Sequence, residues 1–112
     1  MSKRDNQLLI LDMLEAANRV NSYTQNYSYQ EFIEDQKTLD AVVRNFEIIG
    51  EASSRVDTNF QTSNPQIPWS QLKGYRNRLI HEYFGVDYDI VWEIISDDLD
   101  LLIDQLEALK DN

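Results

Sequence analysis

Apolar residues recur along this chain every three or four positions, the spacing that gathers them on one face of an α-helix. Ile10, Met13, Leu14, Ala17 and Val20 make such a face and predict a first helix over about residues 4–22. Asn26-Tyr27-Ser28 breaks the pattern. Ser28 stands three residues before Glu31, a capping-box arrangement that opens a short helix through Phe32 and Ile33. Leu39, Val42, Val43, Phe46, Ile49, Val56 and Phe60 then form one stripe, predicting a third helix from Thr38 to about Phe60. Thr62 to Pro68 holds both prolines and a Ser-Asn pair, and reads as a loop. A fourth helix is expected from about Trp69 to just before Gly85, a glycine placed to end it. Asp87 suits the N-cap of a last helix that buries Val91, Ile94, Ile95, Leu102, Leu106 and Leu109. No segment alternates with period two, and no glycine-rich loop follows a strand, which excludes P-loop and dinucleotide-binding classes. The expected fold is all-α: one domain spanning 1–112, an antiparallel bundle of four main helices plus one short helix.

With 112 residues of which 42% are hydrophobic, the chain has material for one modest core. It has no cysteine, which excludes disulfides and thiolate metal sites. Its longest apolar run, Leu8 to Leu11, falls far short of the roughly 20 residues a membrane span needs. No apolar leader is visible at the N-terminus, so the expected compartment is the cytoplasm and no membrane partner is expected.

Charge adds an asymmetry. The chain carries 20 acids against 10 bases, and residues 87–112 hold nine of those acids with a single lysine. Residues 58–81 contain no acid, yet include Lys73, Arg76, Arg78 and the only histidine, His81. A solvated acidic final helix is the plain account of this distribution. The sharper account is an anion site on an otherwise repelling surface.

One histidine and no Glu-x-x-His pair leave no bundle-type metal centre, and the strand–turn–helix elbow of a serine hydrolase is missing. The remaining chemistry lies in Trp69 to Tyr83. Histidine both takes and gives a proton near neutral pH, and arginine offers a fork of donors to phosphate oxygens. Together they can cleave a phosphodiester without metal. His81 would deprotonate an RNA 2′-hydroxyl while Arg76 stabilises the charge developing on the phosphate. On an unbroken helix Arg76 and Tyr83 share a face, whereas Arg76 and His81 lie about 140° apart. They converge only if the helix is distorted, if arginine's length bridges the gap, or if a second chain contributes. A single histidine per chain also favours a dimer whenever separate acid and base are needed. Trp69, Tyr75, Tyr83 and Phe84 are expected to pack rather than stack on bases. Arg44 and Glu51, seven apart, are expected to form a solvated or structural polar pair.

Arg76-Asn77-x-x-x-His81-x-Tyr83 resembles the Arg-x(4–6)-His motif of HEPN domains. Ile48-Ile-Gly-Glu-Ala52, Ile67-Pro-Trp69 and Arg76-Asn-Arg-Leu-Ile-His-Glu-Tyr-Phe-Gly85 look like the HepT-like subfamily in order and spacing, and the similarity runs from the first helix to the Val91-Trp92 helix. The resemblance implies a toxin of a HEPN/minimal nucleotidyltransferase toxin–antitoxin pair, a metal-independent endoribonuclease that needs no cofactor. It implies a homodimer with the motif helices in a shared cleft, and a hetero-oligomer with the antitoxin. By the same resemblance Arg76 and His81 are catalytic, Asn77 and Arg78 support them, and Tyr83 accepts AMP from the antitoxin. The alternative is a non-catalytic helical-bundle binding module partnering a nucleotidyltransferase. The acidic surface is unusual for a nuclease, and the acidic last helix would suit a basic antitoxin.

Overall fold

The computed structural model describes residues 5–81 and 85–110. Helix α1 spans Asn6–Thr24, α2 Tyr29–Glu34 and α3 Gln36–Arg55. Then come α4 (Thr58–Ser63), α5 (Trp69–Lys73) and α6 (Tyr75–Leu79). A two-residue antiparallel pair, β1 (Ile80–His81) with β2 (Gly85–Val86), leads into α7 (Tyr88–Asp97) and α8 (Leu99–Leu109). The fold is an all-α, HEPN-like helical bundle with this one small hairpin.

The expected apolar faces form the core. In α1 the buried side chains include Ile10, Met13, Leu14, Ala17 and Val20, and in α3 they include Leu39, Val42, Phe46 and Ile49. Helix α3 is central, packing against α1, α2, α5 and α6, while α8 closes the ring between α7 and α1. The Ser28 capping box is present in both directions, Ser28 Oγ accepting from the Glu31 amide and Glu31 Oε1 from the Ser28 amide. Helix α2 is then clamped to α7: Phe32 and Trp92 rings lie 5.0 Å apart, and the Tyr29 hydroxyl donates to Asp89 Oδ1.

Two of the four main helices are bent rather than broken. Across Gly74 the helical bonds continue, Gly74 N donating to Ser70 O at 3.1 Å and Arg78 N to Gly74 O at 2.9 Å. Across Asp98 they continue likewise, through Ile94 O and the Leu102 amide.

Four expectations are corrected. The third helix does not run to Phe60: Val56 is extended (φ −67°, ψ 138°), and α4 starts anew at Thr58. Asn6 causes the break, because its Oδ1 accepts the Asp57 amide at 3.1 Å and its Nδ2 donates to Asp57 Oδ2 at 3.2 Å. That exchange takes an amide that a continuing helix would have used internally. The loop is accordingly shorter than expected, since Thr62 and Ser63 belong to α4.

The fourth helix also stops early, at Leu79, and Gly85 does not end it. The carbonyl of Leu79 accepts the Asp87 amide at 2.8 Å, so hairpin closure satisfies the helix end in place of a glycine cap. Gly85 adopts φ +77° within β2, a conformation costly for any side chain with a Cβ. Finally, Glu51 pairs with Arg55 at 2.8 Å and not with Arg44, because a partner one turn away on the same face is closer than one two turns away.

Candidate functional site

Trp69, Leu72, Tyr75 and Leu79 are all buried, and their spacing fixes the roll of the bent α5–α6 helix. Trp69 is anchored by its indole N–H, which donates to Asn64 O at 2.9 Å, and its ring meets Phe60 edge-on. Tyr75 packs edge-on against Phe46 with ring centres 5.2 Å apart, and burial pushes its phenol pKa well above the usual range. Trp69 and Tyr75 are thus packing residues, as the sequence suggested. Gly50 brings α3 against this helix: a Cβ there would lie 3.1 Å from the carbonyl oxygen of Leu72. The Ile48–Ala52 segment is therefore a packing motif for the helix that carries the candidate site.

With the apolar side turned inward, Arg76, Asn77 and Arg78 emerge exposed. None of the three side chains makes a hydrogen bond or ion pair among the described residues. Arg76 and Arg78 are two positions apart, hence about 160° apart around the axis, and they occupy opposite flanks. Arg78 shares its flank with Gln71, which donates to Asp98 Oδ2 at 3.2 Å, so that flank faces the α7–α8 bend. Arg76 shares the other with Lys73, whose ammonium donates to Gln61 Oε1 of α4 at 2.8 Å.

His81 is placed through its backbone, in β1 opposite Gly85. Because α6 ends two residues earlier, the 140° separation expected for an unbroken helix does not apply to Arg76 and His81. Tyr83 and Phe84 lie outside the described residues. The structure thus places Arg76 and Asn77 together on one exposed helix, with His81 just beyond its end in a differently shaped segment. Asp87 ties that segment down: its amide bonds Leu79 O, and its carboxylate accepts the Ile90 amide at 3.2 Å to cap α7.

Sequence reasoning passed over Lys73 as a site residue, although its place three residues before Arg76 on one helix could have raised it. Gln61 gave no signal, since its position depends on the break at Val56. Among the described residues no cluster of three or more histidines and carboxylates is arranged to hold a metal ion, and no helix is long and apolar enough to cross a membrane.

The chain matches the family described as "Ribonuclease HepT-like" over residues 13–109. It is 42% identical over 109 residues to a Methanocaldococcus jannaschii protein named "Putative RNase MJ1380", covering 97% of this chain and 100% of that one. It is 36% identical over 108 residues to a Thermococcus cleftensis protein named "Probable ribonuclease HepT", covering 96% of this chain and 98% of that one. A Caldanaerobacter subterraneus protein with an RNase name is 39% identical over 82 residues, 73% of each chain. No solved structure matches. With a family match across almost the whole bundle and full-length relatives at this identity, the chain belongs to the HepT-like ribonuclease family.

Proposed function

We propose that this protein is a metal-independent endoribonuclease toxin acting in the cytoplasm, with Arg76 and His81 as its catalytic residues. His81 removes the proton from an RNA 2′-hydroxyl, and the 2′-oxygen attacks the adjacent phosphorus. The bond from phosphorus to the 5′-oxygen breaks, giving a 2′,3′-cyclic phosphate on one fragment and a 5′-hydroxyl on the other. Arg76 donates to the non-bridging oxygens as their charge develops. Two chains associate with their motif segments in a shared cleft, where His81 of the partner subunit protonates the leaving oxygen. Asn77 orients the pair from the same exposed helix, and Arg78 adds to the positive potential of the stretch.

The observation that carries this reading is Arg76: a guanidinium exposed on a helix locked by buried neighbours, in a stretch without acids, with no carboxylate partner among the described residues. The cognate antitoxin is a nucleotidyltransferase that assembles with the toxin and transfers AMP to Tyr83. The added phosphate and nucleoside place negative charge and bulk beside the motif, where they compete with the substrate's phosphate.

Expression of the chain in a bacterial host tests this. Growth arrest is expected with the wild type and is expected to vanish with His81→Ala. Co-expression of the nucleotidyltransferase is expected to restore growth and add the mass of AMP, and Tyr83→Phe is expected to block both. Equal growth with wild type and His81→Ala, each shown to be folded and unmodified, would instead favour a binding module.

A further inference from the structure

Three cations elsewhere in the structure are matched to acids: Arg19 to Glu15, Arg55 to Glu51 and Lys110 to Glu107. Lys73 is different. Its ammonium donates to the amide oxygen of Gln61, a neutral acceptor that fixes the direction of the group and leaves its charge uncompensated. Gln61 is itself held at its other end, its Nε2 donating to Val56 O at 2.9 Å and reaching Ser53 O at 3.4 Å. Those carbonyls lie at the end of α3, where the chain turns and Ser53 O also accepts the Val56 amide at 3.4 Å. A chain of bonds thus runs from α3 through α4 to Lys73.

Helical hydrogen bonds continue across Gly74, so Lys73 and Arg76 keep their three-residue relation, about 60° apart and roughly 5–6 Å between Cβ atoms. Both are exposed, on the same flank, within the stretch that holds no acid. We propose that Lys73 is a second phosphate-binding residue, gripping the RNA strand one phosphate along from the group that faces Arg76, with Gln61 as its positioning residue. This rests on the ribonuclease reading above. A lysine binds phosphate as a point charge, and ordering it beforehand lessens the freedom lost when the strand binds. A carboxylate in place of Gln61 would order the lysine equally well and cancel the charge.

The test uses the full chain and a single-stranded RNA oligonucleotide, with binding followed by fluorescence anisotropy and cleavage by steady-state kinetics across a salt series. Removing one phosphate contact lowers the slope of log affinity against log salt by about 0.7, which at 0.1 M monovalent salt weakens binding about fivefold. Lys73→Gln is expected to show that loss in Kd and KM, with the change falling on KM rather than kcat, and Lys73→Arg is expected to restore it. Gln61→Glu discriminates further. A purely structural lysine would keep or improve its contact with the new carboxylate, whereas a phosphate-gripping one loses its charge, so RNA binding is expected to fall as in Lys73→Gln. Thermal melts check folding, and if Gln61→Glu fails to fold, the Lys73→Gln and Lys73→Arg pair decides. Unchanged Kd, KM and salt slope in Lys73→Gln, with wild-type cleavage intact, would overturn this inference alone. A loss confined to kcat would overturn it as well, and a wild type that does not bind RNA would overturn it together with the ribonuclease reading.

Discussion

Gly50 offers the sharpest test of how the site-bearing helix is held. Replacing it with valine places a Cβ 3.1 Å from the Leu72 carbonyl oxygen, about 0.3 Å inside ordinary contact, and adds two methyl groups beyond it. The neighbour is backbone of α5, so relief requires the helix to move as a body rather than a side chain to rotate. Valine is a better helix former than glycine by about 0.3–0.5 kcal/mol. Overpacking of a closed core costs about 1–3 kcal/mol, which wins. For a 112-residue chain the entropy of unfolding is about 0.24 kcal/mol per degree, so the net loss corresponds to a fall in Tm of about 3–10 °C. Gly74→Ala is the control. Its Cβ would meet only the Ser70 and Gln71 carbonyls at 3.4 and 3.6 Å, ordinary contacts, in a right-handed conformation. It is expected to gain up to about 1 kcal/mol of helix propensity and raise Tm by up to about 4 °C. Circular dichroism melts of both variants suffice. A Gly50→Val melt at or above wild type would refute the claim that close α3–α5 approach positions the candidate site.

Other consequences follow from the same geometry. Asn6→Ala leaves the Asp57 amide without this acceptor, and a loss of about 1–2 kcal/mol is expected, with faster hydrogen exchange at Asp57; an unchanged exchange rate would mean that the break does not depend on Asn6. On the acid side, backbone and side-chain bonds from Ser28 hold Glu31 below its usual pKa, and bonds from Tyr27 and Thr38 do the same for Asp35. A depressed folded-state pKa gives stability that is complete above the unfolded value and lost as pH falls through the folded one. The start of α2 and of α3 is therefore expected to loosen below about pH 4, seen as early loss of amide protection at Glu31 and Thr38. Loosening that instead begins near neutral pH would contradict this assignment.

What the sequence could show was set by what burial makes periodic. The four main helices, the Ser28 box and the Asp87 cap are local or one-faced features, and the outward position of Arg76 follows from the inward spacing of Trp69, Leu72, Tyr75 and Leu79. The breaks are another matter. Val56 is buried and Phe60 half-buried, so the apolar stripe continues straight across the place where the helix stops. The residue that stops it, Asn6, lies 51 positions away. The end of α6 likewise depends on Asp87 reaching back to Leu79, a tertiary bond that a one-dimensional pattern does not contain. Reading the fourth helix through to Gly85 therefore gave His81 a helical phase it does not have. The Gln61–Lys73 contact was hidden for the same reason, since it exists only once α4 has separated from α3.

The central claim, catalysis by Arg76 and His81 on the RNA's own 2′-hydroxyl, is tested most directly with the purified chain. Mass spectrometry first establishes that Tyr83 carries no AMP, and the protein is incubated with tRNA and mRNA in EDTA beside Arg76→Ala and His81→Ala. The account predicts cleavage by the wild type with 2′,3′-cyclic phosphate ends, and a fall of about a hundredfold or more in each variant. Intact RNA after incubation with the folded, unmodified wild type, or equal cleavage by His81→Ala, would contradict it.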